Sequence, residues 1–194
     1  VNLGTAMAAC DARVLLIDMD PQGNLSTGLG VSPAKRSFGT YDVLSSRKKL
    51  QDCVIKTEIP NLDVITANEN LLGVEIELSA DEDRAIKLRE TLRSTTSGQK
   101  NYDFILLDCP PALNIITLNA LAASDGAIVP LQAEFYALEG LSQLLKTIDG
   151  ISSTINDRLK LSGVILTMFD KRNNLSLQVE DCLLYTSDAA DEIA

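Results

Sequence analysis

The stretch VLLIDMDPQGN, from Val14 to Asn24, decides the fold. Its first four residues form a short continuous apolar run, which is typical of a parallel strand buried on both faces. The run leads into two aspartates and then into Pro, Gly and Asn, which are turn-forming residues. Because ligands of parallel sheets bind beyond the carboxyl ends of the strands, this junction predicts a functional site.

Similar apolar runs recur along the chain, and longer segments with apolar residues at spacings of three and four separate them. The predicted strands are Arg13–Ile17, Leu62–Thr66, Phe104–Leu107, Gly126–Pro130 and Leu161–Thr167, and the predicted helices are Asn2–Ala9, Ala85–Leu92, Asn114–Ala123 and Leu138–Ile155. This alternation predicts an α/β fold with a doubly wound, mostly parallel sheet and helices on both faces. The polar segment Ser32–Gly39 is expected to be a surface loop.

Composition narrows the class of protein. The chain has 194 residues, of which 45% are hydrophobic, and this fits one globular domain with a single core. No apolar run approaches the roughly 20 residues of a membrane-spanning helix. The four scattered cysteines form no CxxC pair and the chain has no histidine, so we expect no zinc site. We expect the cysteines to be reduced thiols, as in a cytosolic protein. A net charge of −10 argues against a wholly basic nucleic-acid-binding surface.

A second predicted strand also ends in a carboxylate, because Phe104–Leu107 runs directly into Asp108. Magnesium bound beside nucleotide phosphates takes one or two carboxylates, and an apolar strand closed by aspartate is the Walker B pattern. Asp18 and Asp20 are two residues apart, so on an extended chain they point the same way. Each acid taken alone is a weak signal, because an aspartate that caps a turn after a strand is common. Two acidic strand ends on one sheet edge favour a site for a metal and a nucleotide.

A phosphate-binding loop of the form GxxxxGK[ST] does not occur in these residues. The segment Gly28–Gly30 is too short for that task and follows no lysine. The chain opens in a helix-like segment, Val1–Ala9, directly before the first strand, which is where a phosphate loop would end. We therefore expect such a loop upstream of Val1.

Several segments taken together resemble the ParA family of chromosome and plasmid partitioning ATPases, over residues 1 to about 180. They are VNLGTAMAA, VLLIDMDPQGNLSTGLGV, YDFILLDCPP, VPLQAEFYALEGLSQL and GVILTMFDKRNNLSLQV. The family belongs to the deviant Walker class of P-loop NTPases, related to MinD and to the nitrogenase iron protein. Its KGGVGKTT loop lies just before the segment matched by Val1–Gly4 and follows a central strand. The resemblance implies that the chain lacks its first central strand, its phosphate loop and two lysines.

The same resemblance implies roles for individual residues. Asp20 matches the catalytic aspartate that orients or activates the attacking water, Asp18 matches its catalytic and metal-binding partner, and Asp108 matches the Walker B metal ligand. Further residues expected around the nucleotide are Gln22, Gly23 and Asn24 in switch I, Pro110 and Pro111 in switch II, and Pro130, Thr167 and Met168 near the adenine. The implied cofactors are ATP and Mg²⁺.

The implied partners are a second copy of the chain, joined face to face by ATP, and DNA bound without sequence preference by the full-length dimer. A ParB-type centromere-binding protein stimulates hydrolysis in this family, and the expected location is cytoplasmic and nucleoid-associated, in a bacterium, without a membrane. Without the loop lysines the 194 residues are expected to be almost inactive. Two alternatives stay open, a MinD-like ATPase that cycles on a membrane and a non-enzymatic remnant. PQGN and EFYALEGLSQL favour partitioning, of a chromosome or of a plasmid.

The end of the chain departs from the family pattern. Cys182–Glu192, CLLYTSDAADE, resembles the translation of a transposase-type sequencing adapter, and the alternative is a divergent acidic helix end. We therefore expect residues 1–181 to be a partial ParA-type ATPase domain, similar to AAA_31 and CbiA domains, and residues 182–194 to be a non-native tail. The source DNA is expected to carry the adapter sequence after the codon for Asp181.

Overall fold

The computed structural model describes residues 1–96, 102–134, 137–174, 176–179, 181 and 183. The chain divides into two compact units, Val1–Ala123 and Ser124–Ala194. The predicted tail, residues 182–194, lies outside the described residues apart from Leu183. The predicted boundary between domain and tail therefore stays a prediction.

The first unit contains a four-stranded sheet. Its strands are β1 (Val14–Asp18), β2 (Val54–Lys56), β3 (Leu62–Ile65) and β4 (Phe104–Asp108). The order is β2-β3-β1-β4, in which β1 pairs in parallel with β3 and β4, while β2 is antiparallel to β3. All five residues of β1 are buried, which explains its continuous apolar run.

The helices of the first unit cover both faces of this sheet. They are α1 (Asn2–Ala9), α2 (Asn24–Gly28), α3 (Thr40–Leu44), α4 (Val74–Glu77), α5 (Lys87–Thr96) and α6 (Ile115–Ala123), with 3-10 turns at Pro33–Lys35, Leu50–Cys53 and Glu69–Gly73. Alternate residues of β1 enter two separate apolar clusters, Leu15 with Leu88 of α5, and Leu16 with Ala8 of α1. This alternation along one strand places helices on both sides, as predicted.

The second unit is a strand–helix–strand arrangement. Strands β5 (Gly126–Gln132) and β6 (Lys160–Thr167) pair in parallel, and α7 (Ala137–Thr154) connects them along the chain. Its own apolar cluster includes Val129 of β5 and Leu141 of α7. Among the residues that the structure describes, no helix is both long enough and apolar enough to cross a bilayer.

The predicted α/β class and the mostly parallel pairing are confirmed, and the described strands form two sheets, of four and two strands. The predicted strands agree with the observed ones to within two residues at each end. One local prediction was wrong: Ser32–Gly39 is not wholly a surface loop, because Arg36 within it is only 8% exposed. Hydrogen bonds to backbone and hydroxyl oxygens of neighbouring segments keep its side chain inside.

An ion pair joins β1 and β4 at their amino ends. The Nη2 atom of Arg13 lies 2.8 Å from Oδ1 of Asp103, and Arg13 Nε donates to Oδ2 at 3.1 Å. The backbone N–H of Arg13 also donates to Oδ2, at 2.8 Å. These side-chain and backbone hydrogen bonds lower the pKa of the Asp103 carboxyl to about 2.

We expect the Asp103 carboxyl to titrate at about pH 2 in the folded protein. Because its pKa is depressed on folding, the pair stabilises the fold fully above the ordinary carboxyl pKa of about 4, and this contribution is lost as the pH falls through about 2. The Arg13→Met variant should raise the pKa towards the ordinary value. Carboxyl chemical shifts measured by NMR across an acid titration check this, and an identical pKa in both proteins would contradict it.

Candidate functional site

The two acidic strand ends lie side by side. Asp18 and Asp108 are partners in the parallel register of β1 and β4, and the N–H of Met19 donates to the carbonyl of Asp108 at 2.9 Å. The strands therefore remain paired up to the point where both aspartates occur. This pairing brings together the carboxylates that end the two apolar runs.

The carboxylate of Asp18 is fully buried, and both of its oxygens accept hydrogen bonds. Its Oδ2 accepts bonds from the backbone N–H of Ser26 at 2.9 Å and from the Ser26 hydroxyl at 2.6 Å, while Oδ1 accepts from the N–H of Asp20 at 3.2 Å. The Ser26 hydroxyl oxygen in turn accepts from the N–H of Ala67, just beyond β3. Asp18 thus connects the loop after β1 and the start of α2 with the end of β3.

The loop between β1 and α2 is a tight turn. The N–H of Gly23 donates to the carbonyl of Asp20 at 2.9 Å, and the N–H of Gln22 donates to Asp20 Oδ1 at 3.0 Å. Asp20 is half-buried, whereas the side chains of Gln22 and Asn24 are exposed. The turn therefore holds Asp20 at the edge of the sheet with one carboxylate oxygen engaged.

Asp108 differs from Asp18 because its side chain is exposed at the end of β4. Its pKa is raised, first because the surrounding protein partly removes the carboxyl group from water, and then because Asp18 is negatively charged. The negative charge of Asp20 raises the pKa further, to a smaller degree. The three carboxylates are therefore close enough to repel one another, and a cation would relieve the repulsion.

The arrangement fits magnesium only as an ion shared with phosphates and water. Within the described part of the chain, no group of three or more acidic, histidine or cysteine side chains is placed to hold a metal ion alone. Magnesium beside nucleotide phosphates needs only one or two protein carboxylates and keeps several waters. Asp108 is available for this, whereas both oxygens of Asp18 already accept hydrogen bonds. The predicted role of Asp18 as a metal ligand stays a prediction.

The segment after Asp108 leads into α6. Pro110 and Pro111 lie in this loop, and Asn114 ends it by accepting the N–H groups of Ile116 and Thr117 at 3.1 and 3.2 Å. This is an N-cap, which fixes where the helix starts. The two predicted switch II prolines are thus confined between a strand end and a capped helix.

The remaining predicted site residues belong to the second unit. Thr167 ends β6 and donates its hydroxyl to the carbonyl of Leu131 at 3.3 Å, and Met168 follows it, 85% exposed and with a φ of +57°. Pro130 lies in β5 opposite Ile165 of β6. The structure groups these three residues near the carboxyl ends of β5 and β6. The aspartates belong to the first unit, so a ligand common to both groups stays a prediction.

The solved structures that resemble this chain include an enzyme and a plasmid partition protein. Cobyrinic acid a,c-diamide synthase from Mycobacterium smegmatis, with bound ADP and magnesium, matches with a TM-score of 0.85 and 35% identity over 96% of this chain and 73% of that protein. A putative plasmid partition protein from Borrelia burgdorferi, bound to AMPPNP, matches with a TM-score of 0.79 and 26% identity over 93% of this chain and 72% of that one. Both likenesses agree with the α/β fold.

The relatives that align with 179 residues, or 92%, of this chain include proteins from three different bacteria. The chromosome partitioning protein ParA of Caulobacter vibrioides is 52% identical, and the chain covers 67% of it. The sporulation initiation inhibitor protein Soj of Bacillus subtilis is 46% identical with 70% covered, and the chromosome-partitioning ATPase Soj of Treponema pallidum is 40% identical with 68% covered. A family model described as an AAA domain, AAA_31, matches residues 1–161. The chain therefore belongs to the ParA/Soj family of partitioning ATPases.

Proposed function

We propose that this protein binds ATP with Mg²⁺ at the carboxyl ends of β1 and β4 and hydrolyses it to ADP and phosphate as part of DNA partitioning. The observation that carries the proposal is the register of β1 and β4, which sets Asp18 beside Asp108 and leaves Asp20 on the turn that follows. The Mycobacterium smegmatis structure with ADP and magnesium, and the Treponema pallidum relative named as an ATPase, support it.

Each carboxylate has its own task in this proposal. When bound, magnesium neutralises phosphate charge as it develops during transfer. The exposed carboxylate of Asp108 would hold the ion directly or through a water. Asp20, half-buried on a fixed turn, would orient the attacking water and take its proton. Asp18 would hold the turn in place through Ser26 and the N–H of Asp20.

The other predicted residues would surround the nucleotide. Gln22, Gly23 and Asn24 follow Asp20 and would respond to the γ-phosphate as switch I, and Pro110 and Pro111 follow Asp108 as switch II. In the second unit, Pro130, Thr167 and Met168 would contact the adenine.

The wider role is proposed from the relatives. Two full-length copies would join on ATP and bind DNA without sequence preference, and a ParB-type protein would stimulate hydrolysis. The names of the Caulobacter vibrioides and Treponema pallidum proteins support a task in chromosome partitioning. The Borrelia burgdorferi structure leaves a plasmid as the other possible cargo. The proposed place of action is the bacterial nucleoid, in the cytoplasm.

An ATPase assay tests the proposal. The 194-residue chain is compared with an extended version, in which a family segment containing KGGVGKTT precedes Val1 and a family C-terminus replaces residues 182–194. Magnesium-dependent hydrolysis is expected from the extended version and not from a control in which both lysines of the added segment are alanine. Equal hydrolysis by all three proteins would overturn the phosphate-loop account. Failure of the extended version to bind Mg²⁺–ATP would overturn the proposed function.

A further inference from the structure

Arg36 is a buried arginine beside the turn that carries Asp20. Its Nε and Nη2 atoms donate to the carbonyl of Val31 at 3.1 and 2.7 Å, and Nη2 also donates to the hydroxyl of Thr27 at 2.8 Å. Its Nη1 atom donates to the carbonyl of Gly23 at 3.4 Å. Every one of these acceptors is an uncharged oxygen. Burying a guanidinium costs free energy unless its N–H donors are hydrogen-bonded. The side chain of Arg36 is therefore held in place by Val31, Thr27 and Gly23.

The guanidinium fixes the carbonyl of Gly23 in two ways. One is the direct contact from Nη1. The other passes through Thr27, because the Thr27 hydroxyl accepts from Arg36 Nη2 and donates its own hydrogen to the Gly23 carbonyl at 2.9 Å. The arginine thereby orients the hydroxyl as well as the turn.

Gly23 links this arginine to the candidate catalytic residue. Its N–H closes the turn on the carbonyl of Asp20, and its φ of +63° lies in the left-handed region. A Cβ atom at this position would lie 2.6 Å from Arg36 Nη1 and 2.9 Å from the carbonyl oxygen of Ala67. Glycine is therefore required both by the backbone angle and by the space that the guanidinium occupies. Hydrogen bonds therefore connect Arg36 to Gly23 and Gly23 to Asp20.

We propose that Arg36 is a positioning residue, whose buried guanidinium holds the Gly23 turn and so sets where the Asp20 carboxylate points. This inference rests on the proposed ATPase role of Asp20. It assigns to Arg36 no contact with the nucleotide. Lysine should not replace it, because a single ammonium cannot donate at once to Val31, Thr27 and Gly23 with the planar geometry of a guanidinium.

Amide hydrogen exchange of the 194-residue chain tests the structural part. In Arg36→Met, the amides of Gly23 and Thr27 should exchange about tenfold faster, while those of β1 keep their rates. Lys35→Met is the matched control, because Lys35 is the exposed basic residue next to Arg36, and it should change neither set. Unchanged exchange at Gly23 and Thr27, or equal acceleration in β1, would overturn the proposal. If Arg36→Met does not fold, Thr27→Val replaces it and should accelerate the same two amides.

Kinetics of the extended version test the functional part. Arg36→Met and Arg36→Lys should each lower kcat by about tenfold and leave KM for ATP within about twofold, because the turn that carries Asp20 moves while the proposed contacts of Asp108 to the metal and of the second unit to the adenine remain. A kcat equal to that of the wild type would overturn the positioning role. An extended wild-type protein without any hydrolysis would instead refute the proposed function, and the exchange result would still decide whether Arg36 holds the turn.

Discussion

Replacing Asp20 with asparagine is expected to lower ATP hydrolysis by at least about 100-fold in the extended version, while the Kd for Mg²⁺–ATP stays nearly the same. Asparagine keeps an oxygen that can accept the N–H of Gln22, which Asp20 Oδ1 accepts at 3.0 Å, so the turn is preserved. What is lost is the negative charge and the capacity to take a proton from water. Steady-state turnover and equilibrium nucleotide binding, measured on the same preparation, check this prediction.

The matched control for this prediction is Asp11→Asn. Asp11 is exposed in the turn between α1 and β1, at the opposite end of β1 from the site, and its φ of +64° is one that asparagine adopts readily. Its turnover should equal that of the wild type. Loss of nucleotide binding together with turnover in Asp20→Asn would assign Asp20 to the metal instead of to the attacking water.

The long elements of this fold were predictable because each carries a strong pattern. β1 is buried along its whole length and so reads as one apolar run, and α7 is long enough to show a helical period. β2 was not predicted, because it has only three residues and is paired at the sheet edge with a lysine at its end. The short helices α2, α3 and α4 were missed for the same reason, since four or five residues cannot establish a period.

The residues that hold the candidate site in place by hydrogen bonds could not be predicted in the same way. Asp18, Asp20 and Asp108 stand at the ends of apolar runs, which is a local signal. Ser26 and Arg36 have no such signal, because their importance comes from hydrogen bonds to residues that only the folded chain brings near them. Arg36 lies in a polar segment that resembles an exposed loop, and its burial depends on oxygens of Val31 and Thr27 rather than on any pattern of its own.

Replacing Asp18 with alanine is expected to lower the free energy of unfolding of the 194-residue chain by about 3 kcal/mol, since buried donors left without an acceptor cost about 1–3 kcal/mol each. The N–H and the hydroxyl of Ser26, both bonded to Asp18 Oδ2, would lose their acceptor inside the protein. Urea unfolding measures the change. An unaltered midpoint and slope would contradict a role of Asp18 in holding the turn.

A double-mutant cycle with Ser26→Ala separates this positioning role from metal binding. Ser26→Ala alone removes one donor and should cost less than Asp18→Ala, about 1 kcal/mol, although it also removes the acceptor of the Ala67 N–H. The two changes should not be additive, because the Ser26 hydroxyl that Asp18→Ala leaves without an acceptor is absent from the double variant. The opposite result has two parts: the two changes in the free energy of unfolding are strictly additive, and Asp18→Ala in the extended version weakens Mg²⁺–ATP binding. That result would make Asp18 a metal ligand. A strong coupling energy with unchanged magnesium affinity would leave Asp108 as the residue that carries the ion and Asp18 as the residue that holds the turn.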